Sequence, residues 1–436
     1  MLGVLKNRTY RHLFLAQVIA LIGTGLATVA LGLLAFNLAG ENAGAVLGTA
    51  LAIKMIAYVG VAPIASAFAE RLPRRVMLVT LDVVRAAVAL LLPFVSEIWQ
   101  VYVLIFVLQS ASAAFTPTFQ ATIPDVLPDE KEYTRALSLS RLAYDLESVA
   151  SPLLAAALLT VISFNNLFAG TVIGFIASAL LVVSVVLPSP KPAAPRGIYD
   201  RTTRGLRIYI KTPRLRGLLA LTFAVSAAGS MVIVNTVVLV QSVFGLTQQS
   251  TAVALAAFGG GSMIAALALP GLLDRFDDRP VMLIGAGILV ATMLAGAALP
   301  GYGVLLGLWV IIGVGYSVTQ TPAGRLIRRS SNPEDRPALF AAQFALSHAA
   351  WLVTYPLAGW LGASAGLPVT FLVMSAVAAL GLVAALRLWP VADPVVVEHT
   401  HDDLPADHPH LNGSTGKNTH AHEFVIDAEH TVWPGR

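Results

Sequence analysis

Twelve uninterrupted apolar stretches dominate this sequence, at approximately 12–37, 44–69, 76–95, 98–122, 136–160, 165–187, 217–240, 250–273, 281–299, 302–324, 338–362 and 367–389. Each is long enough to cross a hydrocarbon layer of roughly 30 Å as a helix. None shows the ~10-residue alternation of a membrane barrel strand. The first stretch is also longer than the apolar region of a cleavable signal peptide, which runs to about 15 residues. The expected fold is therefore an all-α membrane protein of twelve transmembrane helices. Composition agrees, because only 12% of the 436 residues are charged, about half the share of a soluble domain. With no cysteine in the chain, disulfides, thiolate metal sites and cysteine-based catalysis are excluded. HExxH, nucleophile-elbow and GK[ST] P-loop patterns are also missing, so an enzyme or an ATP-driven pump is not expected. Nor is a nucleic-acid partner.

Lys and Arg positions orient the bundle. If the N-terminus is inside, 26 of the 28 basic residues fall in cytoplasmic segments, and the other two, Lys54 and Arg85, lie within spans. External loops then hold none, an asymmetry that puts both termini in the cytoplasm. The expected location is the inner (plasma) membrane, with the protein a monomer in the bilayer.

The chain repeats itself at an offset of about 205 residues. Glu70-Arg71-Leu72-Pro73-Arg74-Arg75-Val76-Met77-Leu78 after the second span is echoed by Asp274-Arg275-Phe276-Asp277-Asp278-Arg279-Pro280-Val281-Met282-Leu283 after the eighth. Ser151-Pro152-Leu153 in the fifth recurs as Tyr355-Pro356-Leu357 in the eleventh. Two six-helix halves, 1–187 and 217–389, are thus joined by a basic cytoplasmic linker, 188–216. Parallel halves of this kind usually enclose a substrate path at their interface. Residues 390–436 form an acidic, histidine-rich cytoplasmic tail expected to be disordered.

Across its whole membrane region the sequence resembles the major facilitator superfamily. Ser66 to Arg75 is similar to that family's Gly-x-Leu-Ala-Asp-Arg-x-Gly-Arg-Lys loop: Ala69, Arg71, Arg74 and Arg75 fit, Glu70 replaces Asp, and Ser66 and Pro73 replace glycines. The resemblance implies a cytoplasmic charge latch in which Glu70 and the arginines hold the halves closed, with Asp274 and Arg275 as the second-half counterpart. A plain topology anchor is the alternative. Glu147-Ser148-Val149-Ala150-Ser151-Pro152 resembles the fifth-span signature of antiporting drug exporters, with Glu147 where a glycine is usual. The basic residue such exporters carry in the fourth span falls on Phe106, which brings the pattern closer to the macrolide- and siderophore-exporter branch.

A charge at mid-bilayer costs about 3 kcal/mol by insertion scales, so each one is a functional candidate. Lys54 lies about ten residues into the second span, ~15 Å from its external end. Asp145 and Glu147 lie at similar depth in the fifth span, pointing about 200° apart. Arg141 precedes Asp145 by one turn and can pair with it. Glu147 has no local partner, which makes it the first candidate for a proton carrier or cation ligand, against a static pair with Lys54. His348, deep in the eleventh span, is a possible ligand or protonation switch, or simply a hydrogen-bonded packing residue. Asp82 and Arg85 are expected to pair at i, i+3. Gln17, Gln109, Asn235, Gln241 and Gln320 offer uncharged polar groups to spans one, four, seven and ten, which line the cavity in the superfamily.

The tail holds seven of the nine histidines. His399 and His401, His408 and His410, and His420 and His422 form three His-x-His pairs, with His430 beyond. In extended backbone, positions i and i+2 share a face, so each pair can offer two imidazoles to one metal. Imidazole and carboxylate without thiolate suit Ni²⁺, Co²⁺, Cu²⁺ or Zn²⁺. A solvated tail with no cellular role is the alternative. A His-rich tail on such a bundle resembles the bacterial nickel-resistance exporters of the superfamily, where the tail is thought to collect or sense cytosolic metal. The leading expectation is a proton-exchanging exporter of nickel or cobalt with no resident cofactor beyond a tail-bound ion. The others are an exporter of drugs, siderophores or similar amphipathic molecules, and a non-transporting metal sensor.

Overall fold

Lipid offers backbone groups no hydrogen-bond partner, so a spanning segment must satisfy its own N–H and C=O groups, and the apolar runs fold as helices for that reason. The computed structural model describes residues 2–39, 43–69, 72–188, 197–299, 301–394, 396–401, 409–411, 419–427 and 429–434. The first half consists of α1 (Arg8–Ala39), α2 (Ala43–Ala69), α3 (Arg74–Leu91), α4 (Ile98–Val126), α5 (Glu130–Leu159) and α6 (Phe164–Val183). A linker helix, α7 (Ile198–Lys211), follows. The second half holds α8 (Pro213–Val237), α9 (Gln248–Leu273), α10 (Asp278–Gly296), α11 (Tyr302–Gln320), the short α12 (Ala323–Arg329), α13 (Arg336–Ser364) and α14 (Leu367–Leu388).

Each of the twelve expected spans has its long helix. Ten of these are long and apolar enough over the described residues to cross a membrane by composition alone. The two that fall short are α2, whose apolar stretch is the shorter Ala52–Ala65, and α5, which carries Arg141, Asp145 and Glu147. α5 also begins at Glu130, capped by Asp129, whose carboxylate accepts from the Glu132 N–H at 2.9 Å. The cytoplasmic end of this span is therefore more polar than its apolar run implies.

The first half packs in two apolar clusters, around Leu13 and Phe119 and around Phe168 and Phe175, and the second around Met231, Trp309, Phe371 and Trp389, while Ala62 and Ala113 meet Ala341 and Phe344 between the halves. α13 also packs against α4, and the halves meet chiefly along two helix pairs, α2 with α13 and α5 with α9. In span order these are the second with the eleventh and the fifth with the eighth, the pairing that a two-fold repeat demands.

Among the described residues of the tail there is regular structure. β1 (Val396–Thr400) and β2 (Thr419–Glu423) pair antiparallel, with His399 directly opposite His420 and Val397 opposite His422. Two five-residue strands are marginal alone, and here they lean on the second half: Phe424 and Ile426 are buried in its core, with Val397 and Trp433 packed against it.

Candidate functional site

At the cytoplasmic ends the halves are joined by ion pairs. Asp125, at the end of α4, takes Arg74 from α3 of its own half and Arg336 from α13 of the other. Arg325 on α12 reaches Glu130 at 2.6 Å and the Thr134 hydroxyl at 3.1 Å, both on α5, while Arg328 donates to the Pro128 carbonyl. The linker helix joins in through Arg204, paired with Asp335. This cytoplasmic face is closed. Of the residues expected in such a latch, Glu70 and Arg71 lie outside the described residues. Arg74 takes part, whereas Arg75 donates to the Val183 carbonyl within its own half. Asp274 and Arg275 form no ion pair among the described residues; Asp278, four residues on, holds Arg325 at 3.1 Å and Arg329 at 3.4 Å instead.

Above the latch lies a cavity of about 350 Å³ bounded by both halves, with Gln17, Tyr58, Arg141, Gln320, Gln343 and His348 among its lining. Its walls are amides, hydroxyls, aromatic rings and aliphatic side chains with the Arg141 guanidinium, and hold no carboxylate among the described residues. Arg141 pairs with Asp145 as its i, i+4 spacing implies, donates to the Ser262 hydroxyl of α9 at 3.1 Å, and lies 4.7 Å from the Tyr316 ring centroid. It thereby ties α5 to the opposite half. Asp82 and Arg85 also pair as expected, and Ser178 donates to Asp82 at 2.8 Å.

Glu147 points away from this cavity toward α1. A Cβ added at Gly25 would lie 2.2 Å from the Ser151 side chain and 2.6 Å from the Glu147 Oε1, so glycine lets α1 and α5 approach closely where the carboxylate sits. Among the described residues no ion pair within 4.0 Å holds Glu147; the static pair with Lys54, the alternative to a carrier role, is not formed, though the two interact electrostatically. Lys54 acts in the same way on His348, and its ammonium is 5.5 Å from the Tyr58 ring centroid. The His348 ring meets Tyr58 edge-on at 4.6 Å, and its Nδ1 is 2.7 Å from the Phe344 carbonyl. Asn235 is spent on helix packing, donating to the Ala358 carbonyl at 3.2 Å. Gln109 is half-buried in α4 and lines no cavity described here.

The tail brings its histidines to one point. Side-chain nitrogens of His399, His401, His410, His420 and His430 all lie within 4.8 Å of one another. The Nε2 of His399 is 3.0 Å from that of His430 and 3.0 Å from that of His420; His410 Nε2 is 3.1 Å from His430 Nε2. Three of these rings are anchored at Nδ1 by acceptors: the Val397 carbonyl for His399, Glu429 for His410 and Asp427 for His430. Their Nδ1 atoms therefore carry the protons, and the inward Nε2 atoms present bare lone pairs to one another. Such crowding is unfavourable until a cation sits among them, and carboxylate-oriented imidazoles are the usual surroundings of metal-binding histidines. Burial and the neighbouring imidazoles depress His420 to about 4. Burial opposes ionisation of Asp427, but hydrogen bonds from His430 hold it down at about 2.

Sequence spacing pointed to three separate pairs; the fold makes one site and adds His430. His408 lies outside the described residues. The His422 ring sits within 5.0 Å of His410, and its Nε2 is buried with no hydrogen-bond partner.

The sequence model of the Major Facilitator Superfamily matches residues 13–268 and again 219–406. The chain belongs to that superfamily. It is accordingly a multi-pass membrane transporter of a small solute and not an enzyme. Among curated superfamily proteins it is 23% identical over 326 residues to the uncharacterized MFS-type transporter YfiS of Bacillus subtilis, covering 69% of this chain and 75% of that one. It is 25% identical over 152 residues to macrolide efflux protein A of Streptococcus pyogenes, covering 32% of this chain and 37% of the relative. Among solved superfamily structures, a bacterial homologue of the iron transporter ferroportin in the outward-facing state superposes with a TM-score of 0.72 at 15% identity, over 87% of this chain and 99% of the other. The superfamily fold explains why the latch partners Asp125, Glu130, Arg325 and Arg336 escaped notice in the sequence. They look like ordinary topology charges, and their pairing depends on which ends of the two halves meet.

Proposed function

We propose that this transporter exports divalent transition-metal ions, nickel or cobalt foremost, across the inner (plasma) membrane in exchange for protons. The supporting observation is the convergence of five imidazoles beside the cytoplasmic face, on the side where export begins. An ion about 2.1 Å from each nitrogen puts neighbouring ligands about 3.0 Å apart at right angles and about 3.4 Å apart at tetrahedral angles. The 3.0 and 3.1 Å separations are short enough for neighbouring nitrogens to share one ion, and imidazole without thiolate suits Ni²⁺, Co²⁺, Cu²⁺ or Zn²⁺. In this reading the tail collects the ion. Glu147 binds it or trades it for a proton within the bundle, Lys54 supplies the charge displaced when the ion arrives, and His348 serves as a neutral ligand at the cavity wall.

A second reading has its own support. The carboxylate-free cavity of amides and aromatics, with the macrolide efflux relatives, fits an exporter of amphipathic organic molecules whose tail is incidental. Inverted membrane vesicles carrying a proton gradient separate the two. Uptake of radioactive nickel and of a dye is compared for the intact chain, Glu147→Gln, and a chain ending at Asp393. Nickel uptake lost in Glu147→Gln and weakened by truncation is the expected result. Dye uptake indifferent to truncation, with no nickel movement, overturns the metal reading.

A further inference from the structure

The tail site does not hang free in the cytosol. Asp393, at its root, pairs with Arg214 of α8 at 3.1 Å and accepts from the Trp389 indole at 3.0 Å. Arg329 of α12, already engaged with Asp278, donates to the Asp393 carbonyl at 3.3 Å. Arg214 also stacks 5.0 Å from the Trp433 ring centroid near the other end of the tail. Glu423 and Val425 wall a basin of about 850 Å³ on the cytoplasmic face, together with the latch residues Glu130, Arg325, Arg328 and Arg336. On the other flank, Ile426 and Asp427 face Arg204 and Arg207 of the linker helix across a groove of about 340 Å³.

One side chain connects the two functions of this segment. Phe424 is only 3% exposed and belongs to the apolar core of the second half. Its ring also meets His399 at 4.9 Å, His430 at 4.6 Å and Trp433 at 5.0 Å. The imidazoles and the docking anchor thus share one packed unit. Without an ion, the clustered Nε2 lone pairs oppose closure of this unit, and a hairpin of five-residue strands has little stability to overcome that. Ion binding supplies folding free energy where the ligands come from separate segments.

We infer that one divalent ion, held by His399, His401, His410, His420 and His430, folds the tail and docks it over the cytoplasmic basin beside the arginine latch. The tail is then a metal-operated cover on the mouth of the transporter, whichever solute the bundle carries. This inference rests on the tail-site portion of the proposed function and is independent of the membrane path.

The chain has no cysteine, so Val432→Cys and Phe276→Cys, both at exposed positions, give a clean donor–acceptor dye pair on the full-length protein in lipid nanodiscs. Calorimetry with NiCl₂ runs in parallel. The expected result is one ion per chain and energy transfer that rises on Ni²⁺ addition and falls with chelator. In His399→Ala/His420→Ala, binding weakens at least 100-fold and the rise disappears. In Phe424→Ala, one ion still binds, but the rise is reduced by half or more. Energy transfer that is high with or without chelator overturns the inference, as does one-to-one binding with no change in transfer; neither outcome touches the export reading. Absence of Ni²⁺ binding overturns the tail site itself.

Discussion

Five imidazoles meet within 4.8 Å in the tail, whereas Lys54, Glu147 and His348 stand on three different helices of the bundle and reach one another only electrostatically. The tail cluster is crowded and largely buried, with three of its rings anchored by acceptors at Nδ1. The membrane group is sparse, and its carboxylate has no fixed partner among the described residues. Under the proposed export function, the contrast matches what the two places must do. A collecting site benefits from many ligands held in position. A transit site must release what it takes, and a carboxylate left without a locked ion pair keeps both its protonated and its cation-bound forms within reach.

The largest effect expected from breaking this comparison is at Gly25. Gly25→Ala puts a methyl group 2.6 Å from the Glu147 carboxylate and 2.2 Å from Ser151, so the carboxylate must move. Transport should fall at least tenfold in the vesicle assay while calorimetric ion binding by the tail stays unchanged. A loss of both would show that the two sites are not separable.

Acidification sharpens the comparison from the other side. His399, His410 and His420 have depressed pKa values in the folded tail, because burial, aided by the neighbouring imidazoles, disfavours their charged forms and outweighs the Val397 carbonyl at His399 and Glu429 at His410. Unfolded histidine titrates near 6.5. The neutral forms are therefore favoured by folding, and their contribution is present above pH ~6.5 and lost as pH falls toward about 4, where His420 titrates in the fold. At a fixed Ni²⁺ concentration, hydrogen-exchange protection factors across residues 396–401 and 419–427 should fall over that window, because protons compete with the ion for the same imidazoles. Protection factors unchanged from pH 7 to 5 would contradict the assigned protonation.

The smallest effect is expected at Asp427→Asn. It keeps the shape of the partner that orients His430 and removes only its charge, so Ni²⁺ affinity should weaken about tenfold, the low end for such outer partners. An unchanged affinity would mean that His430 is held by packing against Phe424 alone.

The bundle was legible because lipid forces each apolar run into a self-satisfied helix, and the local pairs Arg141–Asp145 and Asp82–Arg85 followed from helical spacing. Contacts that join distant segments were not. Asp125 and Arg336 are 211 residues apart, and nothing in either neighbourhood marks the other. The same limit applied to the tail: the His-x-His spacing identified the strand face, but the antiparallel register that sets His399 against His420 is a property of pairing. His430 stands alone in the sequence, and only the turn held by Asp427, which accepts its N–H at 2.8 Å, swings it into the cluster. Glu147 and Lys54 sit at matching depth, yet depth says nothing of rotation about a helix axis, and the close pair did not form.

The charges of α5 also bear on how the chain is made. A helix carrying Arg141, Asp145 and Glu147 gains little by leaving the insertion machinery on its own. The Arg141–Asp145 pair, made within a single turn, offsets part of that cost before any neighbour arrives. Glu147 finds its berth only where Gly25 of α1 lets it approach. Release of α5 into the bilayer should therefore wait for α1, so that the helix bearing Glu147 is also a checkpoint in biogenesis, accepted by the membrane only once the first half has begun to assemble around it.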